Sequence, residues 1–217
     1  MSALLTVRAV EKNFGAIHAL GPVDIDLHPG ERLGLIGPNG SGKTTLINCI
    51  TGLFTPDAGT IVFKGVDITR EPAYRRARRG LSRSFQIPRP FVGMTVLENL
   101  LVPMDYLGKR SADEIERADE VLQSVGLIGR RLDPSETLSQ LELRKLELAR
   151  ALVAEPGALV VDEAMAGLSE SEIDDVLALL LRLNKSGVAI VMISSAMAWL
   201  VNTSRRLPIL KTWYISR

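Results

Sequence analysis

"IGPNGSGKTTLINCITG" (residues 36–52) is the stretch on which the fold turns. Residues 37–44 match G-x-x-x-x-G-K-[ST], and that pattern carries meaning only between a strand and a helix. Both flanks supply that context. The run "IDLHPGERLGLIG" (25–37) ends almost continuously apolar and predicts a strand buried on both faces of a parallel sheet. Beyond the loop, Leu46, Ile47, Ile50 and Leu53 recur at helical spacing, with Gly52 near the helix end. Glycines 37, 40 and 42 allow the backbone to wrap tightly, so that successive N–H groups converge on phosphate oxygens. The helix that follows adds its positive end. Lys43 is placed to reach β- and γ-phosphates and Thr44 to offer a hydroxyl to Mg²⁺. The expectation is a nucleotide-phosphate site.

Working outward, "ALVVDEA" (158–164) is a second short apolar run ending in two carboxylates. Acids at the end of a buried strand are costly unless they meet a cation or water. Asp162 suits a water-mediated Mg²⁺ contact, and Glu163 suits polarisation of an attacking water. Strands are also predicted at 4–10, 59–68 and 188–194, and a helix over 170–183. Residues 88–155 read as helical, through "TVLENLLVPMDYL" and "SADEIERADEVLQSVGL", the latter with Ser111 and Glu114 as a capping pair. Strands alternating with helices indicate an α/β parallel sheet interrupted by a helical insertion.

Composition narrows the function classes. Across 217 residues, 26 Lys and Arg face 25 Asp and Glu for a net charge of +1, which argues against a dedicated nucleic-acid binder. Six arginines crowd residues 70–83, but stacking aromatics apart from Tyr74 are missing, so a solvated helix face is expected there. The single cysteine, Cys49, excludes an internal disulfide and reads as a small buried hydrophobe. The N-terminal residues carry no signal-peptide pattern, and no apolar run reaches the length of a membrane span. A cytosolic protein is expected, with any membrane role supplied by a partner.

Taken together, these elements resemble the ATP-binding subunit of an ABC transporter, over essentially the whole chain. "GPNGSGKTT" looks like the Walker A element, "ALVVDE" the Walker B element, "SFQ" (84–86) the Q-loop and "AGLS" (166–169) the D-loop. The stretch "RRARRGLSRSFQIPRPFVGMTVLENLLV" is most similar to the branched-chain amino acid importers. The resemblance implies the α/β fold of a P-loop NTPase: a RecA-like parallel-sheet core (1–87 and 156–217) with a small antiparallel β subdomain, and a helical insertion subdomain (88–155). It implies ATP and Mg²⁺ as ligands. Gly37, Pro38, Asn39, Gly40, Ser41, Gly42, Lys43, Thr44 and Thr45 would hold the phosphates, and Phe14 would stack on adenine. Thr44, Gln86 and Asp162 would serve Mg²⁺, with Glu163 as general base and Gln86 near the attacking water. Its implied partners are a second ATP-binding subunit, identical or not, and membrane-spanning permease subunits that meet residues 86–100. The chain would sit peripherally at the inner face of the cell membrane.

The pattern breaks in three places. The family's signature, which contacts the γ-phosphate on the opposite subunit, usually reads LSGGQ or LSYGQ. Here "LSQLE" (138–142) keeps Ser139 but puts Leu141 where the inner glycine belongs. The side chain is expected to obstruct that contact, whereas Ser139 and Glu142 still form a capping box. After "VAIVMIS" the family's switch histidine is replaced by Ser195, shorter and unable to carry charge. The ending "RRLPILKTWYISR" departs from the usual closing strand, with Pro208 interrupting any ladder, and reads as shortened or decayed. Near-normal ATP binding with slow hydrolysis is therefore expected. The alternative is a regulatory or vestigial ATP-binding protein that does not drive transport.

Overall fold

The computed structural model describes residues 2–84, 88–108, 113–162, 167–194 and 211–214. Two sheets organise them. The first is antiparallel, in the order β2-β1-β4-β5, built from β1 (Leu5–Phe14), β2 (Ile17–Leu27), β4 (Ala58–Phe63) and β5 (Val66–Asp67). The second has the order β6-β7-β8-β3-β9, from β3 (Arg32–Ile36), β6 (Leu81–Ser84), β7 (Ala158–Asp162), β8 (Ala189–Ser194) and β9 (Lys211–Tyr214). Every pairing in it is parallel. A parallel sheet with a small antiparallel one confirms the expected α/β class.

Why the sheet is buried on both faces follows from strand periodicity. On β7 and β8, Leu159, Val161, Ile190 and Met192 join one core. The alternate residues Ala158, Val160, Ala189, Val191 and Ile193 join the other. The first core is completed by α3 (Val96–Tyr106), α4 (Glu114–Val125), α5 (Gln140–Leu152) and α6 (Glu170–Lys185). The second contains α1 (Lys43–Thr51) and the inward side chains of the antiparallel sheet. Helices from residues 88–155 thus share a core with the sheet itself.

Several boundaries differ from the sequence expectation. The strand expected over 25–37 is two strands of different sheets, parted at His28–Glu31, where Glu31 N–H donates to His28 O and Gly30 takes φ 68°. The strand expected over 59–68 is a hairpin, β4–β5, whose two-residue turn Lys64–Gly65 has φ of 50° and 76°. Positive φ at both positions marks the turn that matches strand twist. Helix α4 begins at Glu114 with Asp113 as its N-cap, and Ser111 lies outside the described residues. At the other end, Lys211–Tyr214 does form a closing strand, paired with β3 from Leu33 to Ile36. Pro208 lies outside the described residues.

The arginine-rich segment also differs. Residues 73–78 form a short helix, α2, but it is not a solvated face throughout. Arg76 is 1% exposed. Its guanidinium donates to the carbonyls of Cys49, Ile50, Thr69 and Glu71. Two of those carbonyls belong to the last turn of α1, where helix ends leave acceptors unpaired.

Candidate nucleotide-binding site

Parallel α/β sheets present ligand sites beyond the carboxyl ends of their strands, and three relevant strand ends meet here. The loop after β3 leads into α1, β7 ends at Asp162, and β6 ends at Ser84. Gly42 is the N-cap of α1 with φ 96° and ψ 1°. A Cβ on Gly42 would lie 2.8 Å from Ala19 O and 3.0 Å from Leu20 Cδ1. Both the dihedral and the space therefore demand glycine. The same contact seats the β1–β2 hairpin against the loop.

Lys43 is 6% exposed. Its ammonium is turned back into the loop, donating to Gly37 O at 2.6 Å and Pro38 O at 2.8 Å. A buried ammonium bonded to loop carbonyls places positive charge inside the loop, where an anion would enter. Ser41 Oγ is buried with no hydrogen-bond partner, an orphaned donor inside the same cradle. Gly37 is buried, Pro38, Asn39 and Gly40 form an exposed rim, Thr44 is exposed and Thr45 half-buried. An oxyanion fits this arrangement, because it would satisfy Ser41 and the loop N–H groups and meet the charge of Lys43.

A divalent cation has less protein to hold it. Among the described residues no group of three His, Cys, Asp or Glu side chains is placed to bind a metal. Thr44 and Asp162 fit a hard cation that keeps waters and takes its remaining oxygens from phosphates, the usual habit of Mg²⁺. Asp162 is 5% exposed and paired with Arg83, whose Nη2 donates to Oδ2 at 2.6 Å. Nη1 of Arg83 donates to Asn48 Oδ1 at 2.6 Å. Neither Arg83 nor Asn48 is signalled by a sequence motif, since Arg83 lies 35 positions from Asn48 and 79 from Asp162.

Phe14 closes β1 and is 43% exposed. Its ring meets that of Phe54 edge-on, centroids 5.2 Å apart, and the Lys12 ammonium lies 5.6 Å from its centroid. The ring is thus partly accessible to a planar partner. Cys49 is fully buried on α1, and burial pushes its thiol up to about 11.

Ser139 and Leu141 do not join this cluster. Ser139 is the N-cap of α5: its Oγ accepts from Glu142 N–H at 3.3 Å, and Glu142 Oε2 accepts from Ser139 N–H at 2.8 Å. That amide holds the Glu142 carboxyl below its ordinary range. Leu141 is half-buried and packs against the core of α3–α6. Arg150, further along α5, bonds Arg89 O at 2.7 Å and lies over the Phe91 ring at 4.3 Å. Asn99 receives Phe91 N–H at 2.7 Å. These two side chains, missed from sequence, fix the segment that follows the Q-loop. Gln86, Glu163, Ser195 and the first residue of the D-loop lie outside the described residues.

Comparison with known proteins places this geometry. The ABC transporter family model matches residues 20–166. The high-affinity branched-chain amino acid transport ATP-binding protein LivG of Escherichia coli (strain K12) is 33% identical over 220 residues, covering 94% of this chain and 86% of that protein. The methionine import ATP-binding protein MetN of Brucella abortus (strain 2308) is 36% identical over 197 residues, covering 89% of this chain and 53% of that protein. Among solved structures, the ADP conformation of an ATP-binding cassette of an ABC transporter superposes with a TM-score of 0.87 at 30% identity, covering 99% of this chain and 88% of its own. A nucleotide-free cassette gives a TM-score of 0.85 at 30% identity, covering 98% and 87%. With the family matched over more than half its length and a close-packed phosphate loop in place, this chain belongs to the ABC transporter family as an ATP-binding cassette subunit.

Proposed function

We propose that this subunit couples binding and slow hydrolysis of Mg-ATP to the import of branched-chain or related amino acids. The observation that carries the reading is the cradle around Lys43, where a buried ammonium and the orphaned Ser41 hydroxyl share one glycine-rich loop. The substrate class rests on likeness to LivG over 94% of the chain. MetN, named for methionine, is similar at comparable identity, which is why related amino acids belong in the proposal.

In this reading Lys43 and the N–H groups of residues 37–45 hold the phosphates, and Phe14 stacks on the base. Thr44 and Asp162 orient Mg²⁺, which neutralises charge on the phosphate oxygens when bound. Gln86 and Glu163 take the roles the family resemblance gives them, positioning the attacking water and accepting its proton. Two subunits are proposed to face head to tail, each offering Ser139 to the other's nucleotide. Leu141 and Ser195 weaken the step from binding to hydrolysis, because a glycine N–H approach and a cationic switch are both lost. No helix among the described residues is long and apolar enough to cross a membrane. A permease would hold the subunit at the inner membrane face, meeting residues 86–100 beside a cavity of about 240 Å³ lined in part by Leu53, Ala77, Leu81, Tyr106 and Leu107.

Steady-state ATPase and solute uptake, measured with the permease and companion subunit reconstituted in vesicles, test the reading. Coupled but slow turnover is expected, and the double variant Leu141→Gly with Ser195→His should raise it several-fold. ATP binding without any permease-dependent uptake would favour the second reading, a regulatory ATP-binding protein. That reading draws on the same two replacements.

A further inference from the structure

The carboxylate at the end of β7 is already engaged by a cation belonging to the protein. Arg83 bridges Asp162 on β7 and Asn48 on α1, at 2.6 Å to each. The side chains of the Arg83–Asp162 pair are only 10% and 7% exposed, so solvent screens their interaction weakly. Asn48 lies one helical turn beyond Thr44 on α1. The guanidinium thus lies between the helix that presents the Thr44 hydroxyl and the strand that presents the carboxylate. β6 and β7 are neighbours, with Arg83 opposite Val160, so the backbone itself delivers the arginine to this place. A guanidinium presents its donors in a rigid planar fork that spans the two partners, whereas an ammonium is a compact point charge.

Two opposing effects follow. A buried carboxylate without a cation is unfavourable, so Arg83 keeps Asp162 satisfied and fixed while no metal is present. A divalent ion arriving at Thr44 and Asp162 then meets a positive charge on the same carboxylate. It must share Asp162 or displace the guanidinium, and either way part of its binding energy is lost.

We propose that Arg83 is a positioning residue that stands in for the divalent cation at Asp162 and sets the Mg²⁺ concentration at which the nucleotide site becomes loaded. The inference rests on the reading that Thr44 and Asp162 serve Mg²⁺. It predicts an apparent Mg²⁺ affinity that rises when Arg83 is removed. A role in folding alone would leave that affinity unchanged.

The test is a Mg²⁺ titration of the full chain with a fluorescent ATP analogue, each variant referenced to its own binding in EDTA. Arg83→Met should lower the half-saturating Mg²⁺ concentration by roughly tenfold, as expected on removing a unit charge near a divalent ion. Arg83→Lys should fall between that variant and the original protein. A half-point that is unchanged or raised in folded Arg83→Met overturns the proposal. If circular dichroism shows that variant unfolded, Asn48→Ala releases one branch of the guanidinium. It should shift the half-point the same way by about twofold, and no shift again overturns the proposal. Analogue binding by the original protein that ignores Mg²⁺ altogether would remove the Mg²⁺ reading and this inference together. A Mg²⁺ effect there with no shift in the variants removes the inference alone.

Discussion

The guanidinium of Arg76 lies 2.6 Å from the carbonyl oxygen of Cys49 and 2.7 Å from that of Ile50, so a side chain from α2 closes the far end of the phosphate-loop helix. The near end of α1 carries the positive pole and unpaired N–H groups that suit an anion; the far end carries the complementary negative pole. Burial pulls the arginine's pKa down from its ordinary value, yet a guanidinium remains charged at every working pH. The helix is thereby fixed at both termini, by the glycine turn on one side and by Arg76 on the other.

Replacing Arg76 with Met should therefore destabilise the protein by about 3 kcal/mol, since several buried carbonyls lose their donor at once. Arg76→Lys should recover part of that loss, because an ammonium can serve one or two of the four carbonyls. Urea unfolding midpoints measure both. A midpoint unmoved in Arg76→Met would show that water satisfies the end of α1 as well as the guanidinium does.

The contrast between Arg76 and the phosphate loop explains what the sequence reveals. The loop is legible because its requirements are local: Gly42 needs a positive φ, and strand and helix follow from adjacent residues. The same holds for Ser139 with Glu142, three positions apart. Arg76 reads as solvated from sequence because its partners on α1 lie 26 and 27 positions away. Arg83 escaped notice for the same reason. The run 25–37 reads as one strand on the strength of the apolar residues at its end, whereas residues 28–32, His-Pro-Gly-Glu-Arg, interrupt the pattern and Gly30 turns the chain between two sheets. The Lys64–Gly65 turn carried a local signal, two residues between β-branched runs, that the apolar pattern obscured.

Alkaline pH should act through Cys49. Its thiol is held up to about 11 in the folded protein by burial, against 9.0 for an unperturbed thiol. Between those values the unfolded chain loses the proton while the folded chain keeps it, so the unfolded state is favoured. The contribution of Cys49 to stability is intact below pH 9 and declines from there towards about 11. Cys49→Ala should flatten that part of the stability–pH curve. At neutral pH the thiol should resist iodoacetamide until urea unfolds the protein, and rapid labelling of the folded state would refute its burial.

Phe14, 43% exposed, is braced edge-on by Phe54. If it carries the base, Phe14→Ala should weaken ATP binding about tenfold, in line with about 1–3 kcal/mol for stacking a base on an aromatic ring. Phe14→Trp should retain affinity. GTP should lose as much as ATP, because stacking reads a π-face rather than base edges. A loss confined to ATP would point to edge recognition elsewhere and would leave Phe14 as packing for Phe54.

Leu141 joins stability and turnover in one residue. Its side chain packs on the core of α3–α6 one residue inside the N-terminus of α5. Leu141→Gly removes that packing and adds the conformational freedom of glycine within a helix, together about 1–2 kcal/mol. The Ser139–Glu142 box, which remains in place, limits the damage to the first turn. If the glycine restores close approach to the opposite nucleotide, turnover should nevertheless rise while the unfolding midpoint falls. Opposite signs in the two measurements would separate a functional role for this position from a general effect on folding. A fall in both would show that the leucine is kept for the stability of the helical core, and that slow hydrolysis, where it is found, must come from Ser195.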